Sequence, residues 1–335
     1  MCNYNSLENG KQKILEDIRP NGKVNDWKGK KLRSLDYSDI LATLAEYKKK
    51  SETVQTCANV LTFKPTESGM KLHQAWFCKS RLCALCIWRR AMLHGHQVSK
   101  IVDKAVELEP KGRWLFLTLS TRNTTNGKEL GEEISAYSVA LRKLFNYKEL
   151  KPYVLGFMRS VEVTINKEDG TYNQHMHVLL LVKSTYFKSK ATYVDQSKWR
   201  ELWQKAMSTD YLPVVNVKAI KANKENDKGI AGAIREVAKY PVKDTDFLII
   251  PKEIKHLQSK IIKDLEVGLK KKRLIAYGGL LKKIQKNFNL GNVESEDVDL
   301  VHTESEENEE NIDNTELELV YQWNSEKGNY YSLEK

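Results

Sequence analysis

Residues 172–184 read YNQHMHVLLLVKS, with two histidines one residue apart at the head of an aliphatic run. Side chains two apart share a face of a strand, so His175 and His177 point the same way while Met176 and Val178 point the other. Two neutral imidazoles side by side can hold a divalent ion but cannot fill its coordination shell, so a third ligand is needed. Asp169-Gly170 is a turn signal that would fold the preceding strand, SVEVTIN, back beside the histidines. Glu162 is the only acid in that strand and is the candidate oxygen ligand. The alternative is that both histidines cap the polar end of a strand through ordinary hydrogen bonds. A histidine-triad hydrolase is excluded, because the position a third histidine would need holds Leu179.

A second group lies in GAIREVAKYPVKDTDFL. Glu236 and Tyr240 are four apart, on one face of a helix, and Lys243 follows three later. A phenol with a pKa of about 10 needs a nearby cation or metal to become a nucleophilic phenolate at neutral pH. Lys243 or Lys239 can supply that charge, and a carboxylate can move protons. Pro241 disfavours helical dihedrals at Tyr240, which puts the tyrosine at a helix end or kink. The competing reading is a solvated amphipathic helix.

Cys57, Cys78, Cys83 and Cys86 follow the spacing C-x20-C-x4-C-x2-C, and one other cysteine, Cys2, occurs in the chain. Four clustered thiols ending in C-x2-C match a structural zinc site, with four ordinary thiols as the alternative. His73, His94 and His96 are near enough in sequence to replace one of them. Arg81, Arg89 and Arg90, with Trp76 and Trp88, surround this knuckle, a mixture that suits phosphate contacts and stacking on unpaired bases.

The elements that must position these residues can be read in outline. Residues 1–30 are a polar, flexible lead-in, and 31–110 form a helical, cysteine-rich DNA-binding region whose first helix is capped by Ser34. From 111 to 250 the order is strand (RWLFLTLST), helix, strand (GFMRSVEVTIN), histidine strand, helix (QSKWRELWQKAM), strand (PVVNVKAI) and helix (IAGAIREVAKY). That order predicts an α+β domain on an antiparallel sheet flanked by helices. Residues 251–292 read as a basic helix pair around RLIAYGG, and 293–335 as an acidic, disordered tail, with no lysine or arginine between 293 and 319.

Charge is divided unevenly. Val293–Lys335 holds 14 acidic residues and two lysines, a net of −12, so residues 1–292 carry +23 of an overall +11. A body that basic attracts a polyanion, and nucleic acid is the first expectation. No window approaches the roughly 18 apolar residues of a membrane span, and the first residues lack the apolar core of a signal peptide. A cytoplasmic protein with no membrane partner, its cysteines free or metal-bound, is expected.

WLFLTLS, then HMHVLLL, then REVAKYPVKD, in this order and at these intervals, resemble the three motifs of rolling-circle replication initiators of the HUH endonuclease superfamily. The pattern is most similar to the single-tyrosine Rep class of small plasmids from Gram-positive bacteria. FCKSRLCALCIWRR and KRLIAYGGLLKK extend the resemblance over roughly residues 55–291. It implies an HUH-type fold that nicks one strand at a plasmid origin, with Tyr240 as nucleophile joined to the 5′ end and the 3′ hydroxyl priming synthesis. It also implies His175 and His177 as ligands of Mn2+ or Mg2+, and Glu236 as the acid that activates water in the terminating cleavage. Origin DNA, a host helicase and the replication machinery are the implied partners. A zinc-dependent regulator without catalysis, and a mobilisation relaxase on the same scaffold, are the competing functions.

Overall fold

The computed structural model describes residues 12–19, 22–66, 69–220, 228–239, 241–303 and 318–333. In chain order its elements are α1 (Trp27–Ala42), α2 (Lys48–Gln55), β1 (Val60–Thr66), β2 (Gly69–Ala75), α3 (Ala84–Leu108), β3 (Arg113–Ser120), α4 (Gly127–Asn146), β4 (Val154–Ile165), β5 (Tyr172–Val182), α5 (Gln196–Met207), β6 (Val215–Ile220), α6 (Lys228–Val237), α7 (Asp244–Leu248), α8 (Gln258–Leu269), β7 (Ile275–Gly278), α9 (Gly279–Asn287), β8 (Leu319–Asn324) and β9 (Asn329–Ser332). The chain divides into two compact units, Met1–Arg89 with Asp299–Lys335, and Arg90–Val298.

In the first unit, α1 begins earlier than its sequence suggests. Asp26 caps it, its carboxylate accepting from the Gly29 amide at 2.8 Å, so Ser34 sits inside the helix and not at its start. The buried stripe Trp27, Lys31, Ser34, Tyr37, Ser38 and Leu41 has helical spacing, but two of its first three members are polar and carry no hydrophobic signal. The lead-in read as flexible is partly paired, with Ile14 bridging to Tyr331 and Ile18 to Val24.

The acidic C-terminal stretch is also not uniformly a tail. Its residues 304–317 lie outside the described residues, but β8 and β9 complete an antiparallel sheet in the order β2-β1-β8-β9. Phe63 on β1 packs between Trp27 and Tyr321, and Tyr330 is fully buried with its hydroxyl donating to the Ala58 carbonyl at 2.8 Å. Charge counting hid this, because the strand residues VYQW and NYYS follow the acidic run and are themselves aromatic and β-prone.

The second unit is built on a five-stranded antiparallel sheet, β6-β3-β5-β4-β7. The expected order from β3 to α6 is found. β4 and β5 form a hairpin at Asp169-Gly170, where Gly170 takes a φ of 73° and the Asp169 carboxylate accepts from the Thr171 amide. One sheet face packs on α3, α6 and α9, through Leu179, Leu181, Trp114 and Met158 against Ile101, Val102, Val237 and Leu281. α4 packs on β5 from the other side with α5 and α8 beside it, and Tyr137 and Trp203 meet edge to face there.

RLIAYGG is a strand inside the expected helix pair: β7 pairs with β4 before α9 starts. Its two glycines explain themselves. A Cβ at Gly278 would enter the Phe157 ring, and Gly279 has a φ of +57° against the Leu155 carbonyl.

His94, on α3, is fully buried, and neither ring nitrogen has a hydrogen-bond partner within normal distance among the described residues. Burial lowers its pKa to about 4, opposed by the Ala238 backbone. Between that value and the unfolded value of about 6.5 the unfolded chain binds the extra proton, so stability falls as pH drops through this window and is fully restored above it. The expected loss is about 3 kcal/mol between pH 7 and pH 4. Urea unfolding of the wild type and His94→Phe across that range checks it, the variant showing a flatter dependence.

Candidate active site

The histidine strand is the centre of its sheet, and each neighbour contributes one residue to the same spot. Across the β4–β5 ladder Glu162 lies opposite His175 and Ser160 opposite His177; across β3–β5, Thr118 lies opposite His177. Directly opposed residues share a face. Glu162 Oε2 is 3.3 Å from His175 Nε2 and 3.1 Å from His177 Nε2. The ligand atoms of these three residues all fall within 4.8 Å of one another. His177 Nδ1 is 3.2 Å from Thr118 Oγ1, and its ring stacks on Phe116. Such a bond at the far nitrogen fixes the ring and leaves Nε2 free for a ligand. Thr118 is a site residue that sequence reasoning missed; its signal was the pair of hydroxyls, Thr118 and Ser120, within WLFLTLS, on the face alternate to the leucines.

Glu162 is held as a carboxylate. Burial opposes ionisation, but hydrogen bonds with His175, His177 and Lys243 outweigh it and depress its pKa far below the usual carboxylate range. Lys243 Nζ reaches Glu162 Oε1 at 3.0 Å. Burial opposes charge at Lys243 too, and the bond to Glu162 more than restores it, raising its pKa. A pocket of two imidazoles and one carboxylate, their donor atoms converging, suits a divalent cation such as Mn2+, with remaining positions open to water or a phosphate oxygen.

The tyrosine segment meets this cluster from the edge. Glu236, near the end of α6, has Oε1 3.9 Å from His177 Nε2 and its other oxygen on Lys239. Tyr240 itself lies outside the described residues. Its flanks do not. Lys239 closes a turn onto the Glu236 carbonyl, and the Pro241 carbonyl accepts from the Val163 amide at 2.9 Å, one residue along β4 from Glu162.

All four expected zinc cysteines come together in the first unit. The Sγ separations are 3.7 Å for Cys57–Cys86, 3.6 Å for Cys78–Cys86 and 3.7 Å for Cys83–Cys57. A tetrahedron with metal–sulfur bonds of about 2.3 Å has edges of about 3.8 Å, so the cluster has the dimensions of a tetrathiolate centre. Ala58 and Lys79, each directly after a cysteine, adopt positive φ (51° and 56°) although neither is glycine. Holding such dihedrals costs on the order of 1 kcal/mol each, which is expected where backbone is bent around a site. Burial pushes the Cys57 and Cys86 thiols well up; at Cys83 burial is outweighed by hydrogen bonds from the other three cysteines and Ser34, and its pKa is well below normal. No histidine is needed in the set: His73 instead lies 3.7 Å from Glu318, and His94 is in the core of the other unit.

Two of the arginines expected to touch DNA are corrected. Arg89 is buried and donates to the carbonyls of Leu300 and Val301, and Arg90 is buried and donates to that of Val293. A guanidinium committed to backbone carbonyls in the interior is a packing element. Arg81 is partly exposed, and Lys239 is paired with Glu236 at the surface. Among the described residues no helix is long and apolar enough to cross a membrane.

Residues 69–331 match a family model described as "Replication protein". The chain is 43% identical over 319 residues to "Protein rep" of Lactiplantibacillus plantarum, covering 95% of this chain and 98% of that one. It is 42% identical over 325 residues to "Protein rep" of Streptococcus pneumoniae, covering 96% and 97%. A shorter "Replication protein" of Staphylococcus aureus is 45% identical over 243 residues, 72% of this chain and all of that one. No solved structure gives a significant match.

Proposed function

Since this chain belongs to the replication protein family of plasmid initiators, we propose that it nicks one strand of its plasmid's origin through a tyrosine–DNA intermediate. The observation that supports this most is the converging Glu162–His175–His177 cluster, approached by Glu236 and, through Pro241, by the segment that follows Tyr240's position in the chain.

In this reading Glu162, His175 and His177 would hold Mn2+ or Mg2+, which would supply Lewis-acid polarisation of the scissile phosphate and offset charge in the transition state. Tyr240 attacks phosphorus as its phenol loses a proton. The bond to the 3′ oxygen breaks, that oxygen takes up a proton, and the 5′ phosphate stays on the tyrosine. Lys243 supplies positive charge beside the developing phenolate, and Glu236 takes the proton from water at the later, terminating cleavage. Cys57, Cys78, Cys83 and Cys86 would hold zinc, which would brace a DNA-recognition unit to which Arg81 contributes, while Lys239 contacts the strand. The free 3′ hydroxyl primes synthesis by the host replication machinery in the cytoplasm, while a host helicase displaces the strand.

The test is supercoiled DNA carrying the gene's flanking region, incubated with Mn2+, with Mg2+ or with chelator. Metal-dependent nicking with protein retained on a 5′ end is expected. Specific binding without any nick on DNA that supports plasmid maintenance would favour the zinc-dependent regulator.

A further inference from the structure

Beneath the four-cysteine centre lies a charged side chain with no solvent at all. Lys31, on the buried face of α1, is fully buried. Its Nζ donates to the carbonyls of Gln55 and Cys57, both at 2.8 Å, and to Asn59 Oδ1 at 2.6 Å. Three acceptors match the three donors of an ammonium, and all three come from the five residues 55–59, the end of α2 and the turn that carries Cys57. One helical turn along the same face, Ser34 Oγ is 3.3 Å from Cys83 Sγ and accepts from the Leu85 amide. A cation is not placed in a protein interior without compensation, and oxygen acceptors alone leave its net charge uncancelled.

We propose that Lys31 is the charge-compensating residue of this metal centre, with Ser34 positioning Cys83 beside it. The inference rests on the reading of the cysteines as a metal site. Four thiolates around a divalent ion carry a net charge of −2, which, like the lysine's +1, is costly to bury. Placed together, each lowers the cost of the other. The ammonium also pins the Cys57 carbonyl, and so the strained turn at Ala58. Lys31 therefore favours a full set of thiolates over one in which a ligand stays protonated or is exchanged for water.

The full-length protein is loaded with Co2+, whose thiolate charge-transfer band reports the centre, and titrated with a competing chelator; zinc content is measured in parallel. Lys31→Met and Lys31→Gln are each expected to weaken metal binding about 10- to 100-fold, in the range of other outer-shell losses, and Ser34→Ala to weaken it less while shifting the cobalt spectrum. Melting curves separate charge compensation from packing. Metal-loaded Lys31→Met should melt below the loaded wild type, whereas the stripped variant should melt no lower than the stripped wild type, since it has shed a buried charge. Equal affinity in Lys31→Met, wild-type affinity in the neutral donor Lys31→Gln, or an equal loss of stability with and without metal would each overturn the proposal. If Lys31→Met fails to fold, the Lys31→Gln titration decides. A wild type that binds neither cobalt nor zinc would refute the metal reading beneath it, a different failure.

Discussion

Glu162→Gln is expected to slow origin nicking by about three orders of magnitude while leaving the fold intact. Glutamine has the size of glutamate and keeps an oxygen for Lys243, so the β4–β5 ladder loses no packing. What it lacks is the negative charge on which both histidines converge, at 3.3 and 3.1 Å. A metal ion contributes several kcal/mol of transition-state stabilisation, and about 4 kcal/mol corresponds to that thousandfold change. Initial rates on supercoiled origin DNA at a fixed Mn2+ concentration measure it, and excess Mn2+ should recover part of the loss. Thr118→Val, which removes the hydroxyl that orients His177, is expected to raise the metal requirement about tenfold without changing the rate at saturation. A Glu162→Gln rate within threefold of wild type would mean that the cluster is held together for stability alone.

The second large effect concerns the C terminus. Ending the chain after Thr303 removes β8 and β9, and with them one of the two strands that pair with β1 and the hydroxyl that holds Ala58 beside Cys57. The truncated protein is expected to lose its metal and to fail in specific DNA binding, although both aromatic strands lie more than 200 residues from the cysteines in sequence. Tyr330→Ala isolates the cause. Truncating a fully buried aromatic ring costs about 3–5 kcal/mol, so the metal-bound unit should unfold at markedly lower urea concentration. Retention of full zinc content by the truncated chain would show that the cysteine centre stands without these strands.

Much of the second unit was legible because its signals are local. The alternation around His175 and His177, the Asp169-Gly170 turn and the helical periods of α4 and α5 are short-range signals, and they bring the Glu162 strand beside the histidines, while the register that sets Glu162 opposite His175 is seen only in the folded sheet. The first unit was legible only in its cysteines. β1 and β2 carry lysines, a proline and a glycine, which weaken a strand signal, and the second partner of β1, β8, comes from the far end of the chain. Lys31 and the two arginines were unreadable for a physical reason: sequence shows a charge but not its acceptors, which here are backbone carbonyls distant in sequence, with the Asn59 side chain added at Lys31. The RLIAYGG strand was obscured by the lysine-rich helices on both sides, while its paired glycines mark close contact with Phe157 and Leu155.

The most direct test of the nicking reaction is the identity of the residue joined to DNA. Wild-type protein is incubated with Mn2+ and a single-stranded oligonucleotide spanning the nick, digested with protease and nuclease, and its peptides are analysed by mass spectrometry. The account predicts one nucleotide-bearing peptide, modified through a 5′ phosphate on Tyr240, and no such peptide from Tyr240→Phe or from chelator-treated wild type. An adduct on another residue, or nicking that persists in Tyr240→Phe with no adduct, would contradict it.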